Sequence, residues 1–216
     1  MSLYISDHVQ QVRELHKPTL DQYHDFTRIK DLLQSFSNNL FEAYSKGDSK
    51  AAVEVSNHHP LFIGQQAEDI LHRAFTEEDS KQTIARAYGF QEWNAIPDQQ
   101  INHQFEMAID LFVNGEREEL EKLIDLSPKL LETRSDFGHH ATLLHYAGSN
   151  GVEIWRQVVP SNLPEMIRML IGKGADKDAT ANFYGSLYGT KVLVESSAHP
   201  KDAGIADEII QTLSLS

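Results

Sequence analysis

Eleven histidines in a chain without cysteine raise the question of chemistry first. Two adjacent pairs stand out, His58-His59 and His139-His140; the second has Asp136, His145 and Glu153 close by, with His199 further on. Imidazoles and carboxylates are zinc ligands, and imidazole is the acid–base group that titrates near neutrality. One reading is therefore a metal- or small-molecule-dependent enzyme, with a histidine cluster in a groove between N-terminal helices and the rest of the chain. The spacing argues against it. No H-E-x-x-H and no H-x-H occurs, and adjacent histidines project in different directions from a helix or a strand. A serine nucleophile lacks its G-x-S-x-G elbow, because Ser196-Ser197 run straight into His199-Pro200. Gly172-Lys173-Gly174-Ala175-Asp176 lacks P-loop spacing and ends an apolar segment, which makes it a helix cap rather than a phosphate cradle. The expectation is a non-enzymatic chain with no catalytic residue, no metal ligand and no cofactor.

Composition narrows the partners. Acidic residues number 32 against 19 basic ones, a formal charge of −13 that repels a phosphate backbone, and no basic cluster offsets it. Nucleic acid is not an expected partner. The densest charged run, from Glu116 to Lys122, is mostly acidic and reads as the solvated face of a helix. No apolar stretch is long enough to span a bilayer, and the opening MSLYISDHVQQ has neither a basic nor an apolar leader region, so no membrane or export role is expected. The absence of cysteine removes disulfides and thiolate sites and fits a reducing, cytoplasmic setting.

The elements that would position any site are short and helical. Pro18 ends a first segment, and Thr19 with Gln22 reads as a capping box for a helix with Phe26, Ile29, Leu33, Phe36 and Leu40 on one face. Another helix follows Gly47-Asp48, and a weaker one carries Ile70, Leu71 and Phe75. Thr76 with Asp79 forms a second capping box, Gly89 closes that helix, and Phe90 and Trp93 beyond it belong to the core. Phe105, Ala108, Ile109 and Phe112 mark a helix broken at Asn114-Gly115, and Leu120, Leu123 and Ile124 mark its return. Met166, Ile167, Leu170 and Ile171 form a later stripe, and Ile205, Ala206, Ile209, Ile210 and Leu213 the last. Only Lys191-Val192-Leu193-Val194 reads ambiguously as strand.

Helices of about ten residues are marginal alone and must bury one face on a neighbour. Internal similarity fits a stack of pairs: Pro60 follows Gly47 at the same distance at which Pro128 follows Gly115. The expected fold class is all-α. Residues 1–100 form an N-terminal helical extension, and residues 101–216 hold about three helix pairs.

Within the second region Thr142-Leu143-Leu144-His145-Tyr146-Ala147, then Gly151, an apolar run to Leu170, and Gly174-Ala175-Asp176 resemble the ankyrin repeat in order and residue type. The segments 84–93, 138–146, Asn150-Gly151-Val152-Glu153 with Arg156-Gln157, and 196–200 are similar to a bacterial subfamily of ankyrin-repeat proteins. The resemblance covers Thr76 to Leu213 and no part of the first forty residues. It implies an ankyrin-like helical repeat stack that binds other proteins. The signature residues would be Thr142, Leu144, His145, Ala147, Gly151, Gly174, Ala175 and Asp176. His145 would then be structural, one ring nitrogen paired with the Thr142 hydroxyl and the other tying down a neighbouring loop. The chain departs from the family at Leu143, where proline is usual, and in a long insertion at 154–164.

The partner expected of such a scaffold is another protein, with a basic surface favoured by the chain's acidity, bound by a monomer. Candidate contacts are Trp155 and Arg156 in the insertion and Phe183, Tyr184 and Tyr188 in the loop between the last two repeats, because aromatics and arginine dominate interface energetics. Alternatively the insertion folds back and Trp155 covers the stack's own core.

Overall fold

A computed structural model of the chain describes residues 2–214. The chain divides after Ile101 into two compact units, one of residues 7–101 and one that joins residues 2–6 to everything from Asn102 onward. Residues 2–6 thus do not belong with the N-terminal helices, as their place in the sequence had suggested. Helices supply nearly all regular structure, in keeping with an all-α chain, and strand among the described residues is confined to two short antiparallel pairs.

The unit of residues 7–101 contains α1 (Asp7–Leu15), α2 (Lys17–Leu20), α3 (Ile29–Ser45), α4 (Ser49–His58), α5 (Ala67–Leu71) and α6 (Glu77–Ala87). Ile29, Leu32, Leu33, Phe36 and Leu40 form one stripe of α3 and are completely buried. At roughly 1.5–3 kcal/mol per buried side chain, that stripe outweighs the nucleation cost of the helix. Ser37 and Ser80 let α3 and α6 approach closely: the Ser80 hydroxyl donates to the Ser37 carbonyl at 2.7 Å. Thr76 and Asp79 form the capping box of α6 as their spacing implies. Two readings of this region are corrected. Thr19 caps nothing, because its hydroxyl is held by Ser35 and Asn39 at 2.7 and 2.6 Å; Pro18 lies in the first turn of α2, Phe26 stays outside α3, and that helix opens only at Ile29. Trp93 is half-buried in a 3₁₀ turn rather than in the core, while Phe90 is buried.

The second unit contains β1 (Leu3–Tyr4), α7 (His103–Val113), α8 (Arg117–Leu126), β2 (Val159–Pro160), α9 (Leu163–Gly172), β3 (Thr180–Phe183), β4 (Ser186–Gly189), α10 (Thr190–Ser196), α11 (His199–Asp202) and α12 (Ala206–Ser214). Phe105, Ile109 and Phe112 of α7, Leu120 and Ile124 of α8, Met166, Ile167 and Leu170 of α9, and Ile209 of α12 share one core. The turns α3–α4 and α7–α8 match: Gly47 and Gly115 have φ of 70° and 73°, left-handed values that cost a residue with a Cβ, and a proline follows the second helix of each pair.

Two expectations change here, and one ambiguous segment is resolved. Leu143–Gly148 is a 3₁₀ helix closed by bonds such as His145 N to Thr142 O at 3.1 Å, not the first α-helix of a repeat. Residues 180–189, read as a loop, form the β3–β4 hairpin with Thr180 opposite Gly189 and Phe183 opposite Ser186. Its two-residue turn places Tyr184 and Gly185 at φ of 52° and 78°, the pair of positive values that suits the strand twist. Lys191–Val194 is helical, within α10.

Candidate functional site

His145 sits at the centre of the second unit with no exposed surface. Its Nδ1 accepts from the Thr142 backbone N–H at 3.1 Å and lies 2.8 Å from the Thr142 hydroxyl, so the ring proton resides on Nε2. Nε2 has no partner at hydrogen-bonding geometry but feels the backbone of Tyr188 and Ala179 on and beside the hairpin, which favours the protonated ring. Burial, seconded by the Arg134 charge, wins and pushes the His145 pKa down to about 4. A neutral imidazole that props a turn is what this environment selects. The other signature positions divide by depth. Thr142, Leu144 and Ala147 are buried, Ala175 packs partly against the core, and Gly174 and Asp176 are exposed, the latter accepting from Asp178 N at 3.0 Å. Gly151 passes so close to Phe183 that an added Cβ would lie 2.6 Å from Cδ1.

Beside His145 lies a polar network that sequence reasoning did not assemble. The Nδ1 of His139 accepts from Ala141 N at 3.0 Å, which leaves the Nε2 proton to donate to Glu153 Oε1 at 3.2 Å. Tyr146 donates to the same oxygen at 3.4 Å. Burial works to raise the Glu153 pKa, but His139 and Arg156 outweigh it and hold the carboxyl below its ordinary value. Burial, with Glu153 second, drives the Tyr146 pKa well above the usual phenol range. Arg156 is itself completely buried. It donates to Glu106 Oε2 at 2.5 Å and, through Nε and Nη2, to Asp110 Oδ1 at 3.1 and 2.8 Å. Glu106 and Asp110 lie one turn apart on α7, a spacing visible in the sequence, but nothing there shows that residues 154–158 return to meet them.

These positions correct the proposed contact surface. Arg156 and Phe183 are interior residues, not partner-facing ones. Phe183 stacks on His139 with centroids 5.6 Å apart and leans on His145 at 5.8 Å, so the two histidines grip the hairpin through one ring. Trp155 is half-buried beneath the Arg156 guanidinium, 4.3 Å from its ring centre, and the insertion packs on the unit's own core through Val159, with Val158 buried beside it in sequence. Tyr188 is partly buried. Tyr184 stays exposed at 71%, and Leu187, which sequence reasoning passed over, at 70%. The Tyr184 hydroxyl donates to Asn150 Oδ1 at 2.6 Å, which steadies the tip.

The histidines do not gather. His139 and His145 face Phe183 from separate partners, His140 is exposed at a left-handed backbone position, and His199 lies beside the Tyr4 ring. Among the described residues no group of three or more histidines and carboxylates has the geometry of a metal site. His59 repeats the His139 arrangement in the other unit: Nδ1 accepts from Leu61 N and Nε2 faces Asp79 Oδ1, both at 3.3 Å. His59 and His139 thus each span a backbone N–H and a carboxylate across a turn. No helix of the described residues is long and apolar enough to cross a membrane. Comparison with protein-family models, with curated proteins and with solved structures gives no match.

Proposed function

We propose that the chain is a divergent ankyrin-type scaffold that binds another protein without chemistry, through the outer side of the β3–β4 hairpin. The observation that carries this reading is the two-sidedness of the hairpin. Ala181 and Phe183 are buried, Phe183 against His139 and His145, whereas Tyr184 and Leu187 stand in solvent. A surface held from behind loses little freedom on docking, and tyrosine is among the side chains enriched at interface hot spots. The Arg134 guanidinium adds rigidity by donating to the carbonyls of His140 and Thr180, each at 2.9 Å. The net charge of −13 favours a partner with a basic surface, met by a monomer in the cytoplasm.

The test is site-specific photo-crosslinking from position 187 of the full chain in its native host, followed by mass spectrometry. The expected result is one dominant adduct, lost in a Tyr184→Ser variant whose thermal melt is unchanged. Crosslinks spread evenly over many proteins, or an adduct indifferent to Tyr184, would overturn the reading.

A further inference from the structure

The unit built from residue 102 onward is completed by a strand from the far end of the chain. β1 pairs antiparallel with β2, Leu3 opposite Pro160 and Tyr4 opposite Val159. Ser161 N donates to Ser2 O at 2.9 Å, and Ser2 N to the Ser161 hydroxyl at 3.3 Å. The Tyr4 ring packs against the unit's core and stands 6.3 Å from the His199 ring, and its hydroxyl donates to Asp202 Oδ2 at 3.1 Å. Among the described residues the sheet is these two strands alone, so β1 is held by an extended backbone, a ring against apolar side chains and a phenol on a carboxylate, contacts by which an extended segment can take a peptide as its partner strand.

We propose that residues 159–161 with His199 and Asp202 form a binding site for an extended, tyrosine-bearing peptide, and that residues 2–6 occupy it as a tethered competitor. The site is made by the insertion at 154–164 and by α11. Residue 160 is proline and donates nothing, so the edge offers few backbone bonds and its side-chain contacts set the choice of ligand. The occupant is weakly held by the same count: two paired residues, with Leu3 in part exposed, open locally far more readily than a helix in the core. Tethering compensates, because a segment on the same chain competes intramolecularly, at an effective concentration that does not fall on dilution. A peptide from a partner therefore binds only as the strap lifts, and its apparent affinity falls by the fraction of sites left open. This site lies on the insertion and α11, and the inference stands whether or not the hairpin carries a partner.

The probe is a fluorescein-labelled hexapeptide of residues 2–7, titrated by anisotropy against full-length wild type, Tyr4→Ala and Tyr4→Ala/Asp202→Ala. The Tyr4→Ala chain should bind it at least about tenfold more tightly than wild type, with the gain lost in the double variant. Equal binding to all three overturns the proposal. So does a concentration-dependent dimer of Tyr4→Ala with no gain in peptide affinity, since the edge would then pair with a second copy. Hydrogen exchange on wild type guards against a misfolded variant: the Ser161 amide should exchange faster than that of Leu170, and equal rates would show that the strap does not lift.

Discussion

Arg156 Nη1 lies 2.5 Å from Glu106 Oε2 with both side chains at most 1% exposed, and the same guanidinium reaches Asp110. This cluster fastens the inserted segment to α7. Each charge costs several kcal/mol to desolvate, so the cluster is valuable only when complete. Arg156→Met leaves Glu106 buried beside a thioether and should cost about 3–5 kcal/mol in urea denaturation. Arg156→Met combined with Glu106→Leu should regain most of that loss. A single variant that costs under about 1 kcal/mol would mean that the insertion is held elsewhere.

Gly151 and Gly47 separate two reasons for glycine. Both have left-handed φ, 75° and 70°, but a Cβ on Gly47 meets nothing within 4 Å, whereas one on Gly151 meets Phe183 at 2.6 Å. Gly47→Ala should cost only the backbone penalty, about 1 kcal/mol. Gly151→Ala adds a clash that moves the hairpin, for about 3 kcal/mol in all. Equal losses in the two variants would show that Phe183 yields freely.

Trp155 shares its exposed half with solvent and its other half with the guanidinium above it, 4.3 Å from the ring centre. Trp155→Leu removes a cation–π contact of about 1 kcal/mol and should lower the melting temperature by a few degrees, leaving capture at the hairpin unchanged. Loss of capture with an unchanged melt would return the insertion to the contact surface.

What could be read in the sequence was what local rules govern. The Thr76–Asp79 box, the turns at Gly47 and Gly115, and the stripes of α3, α7 and α9 follow from spacing alone, because each is decided within a few residues. Thr142 and His145 were legible as a pair for the same reason. The network was not, since Arg156 meets Glu106 and Asp110 across fifty and forty-six positions and no periodicity encodes that return. The hairpin was missed because Ala181 and Phe183 alternate over only four residues, and because its turn uses Tyr184 where asparagine or glycine is the usual signal. Thr19 misled by matching a cap motif while its hydroxyl was already engaged by α3.

Acid should expose the role of His145. Burial holds its folded pKa at about 4, against 6.5 for a free imidazole. Between those values the unfolded chain binds the proton and the folded chain does not, so stability is complete above pH 6.5 and falls as the pH drops toward 4. The loss approaches roughly 3 kcal/mol, a little over two pK differences at about 1.4 kcal/mol each. His58, also pushed down to about 4 by burial, adds a slope of the same sign over the same window. Glu153 and Glu54, whose folded carboxyls lie below their ordinary value, keep their contributions until the pH falls beneath that value and then lose them. Urea midpoints at pH 8, 6 and 5 should therefore decline for wild type. His145→Ala should be less stable at pH 8, because the Thr142 N–H loses its partner and a cavity opens, yet decline less steeply from 8 to 5. Parallel profiles for the two chains would show that the His145 ring accepts its proton in the folded state and is not the neutral prop its hydrogen bonds describe.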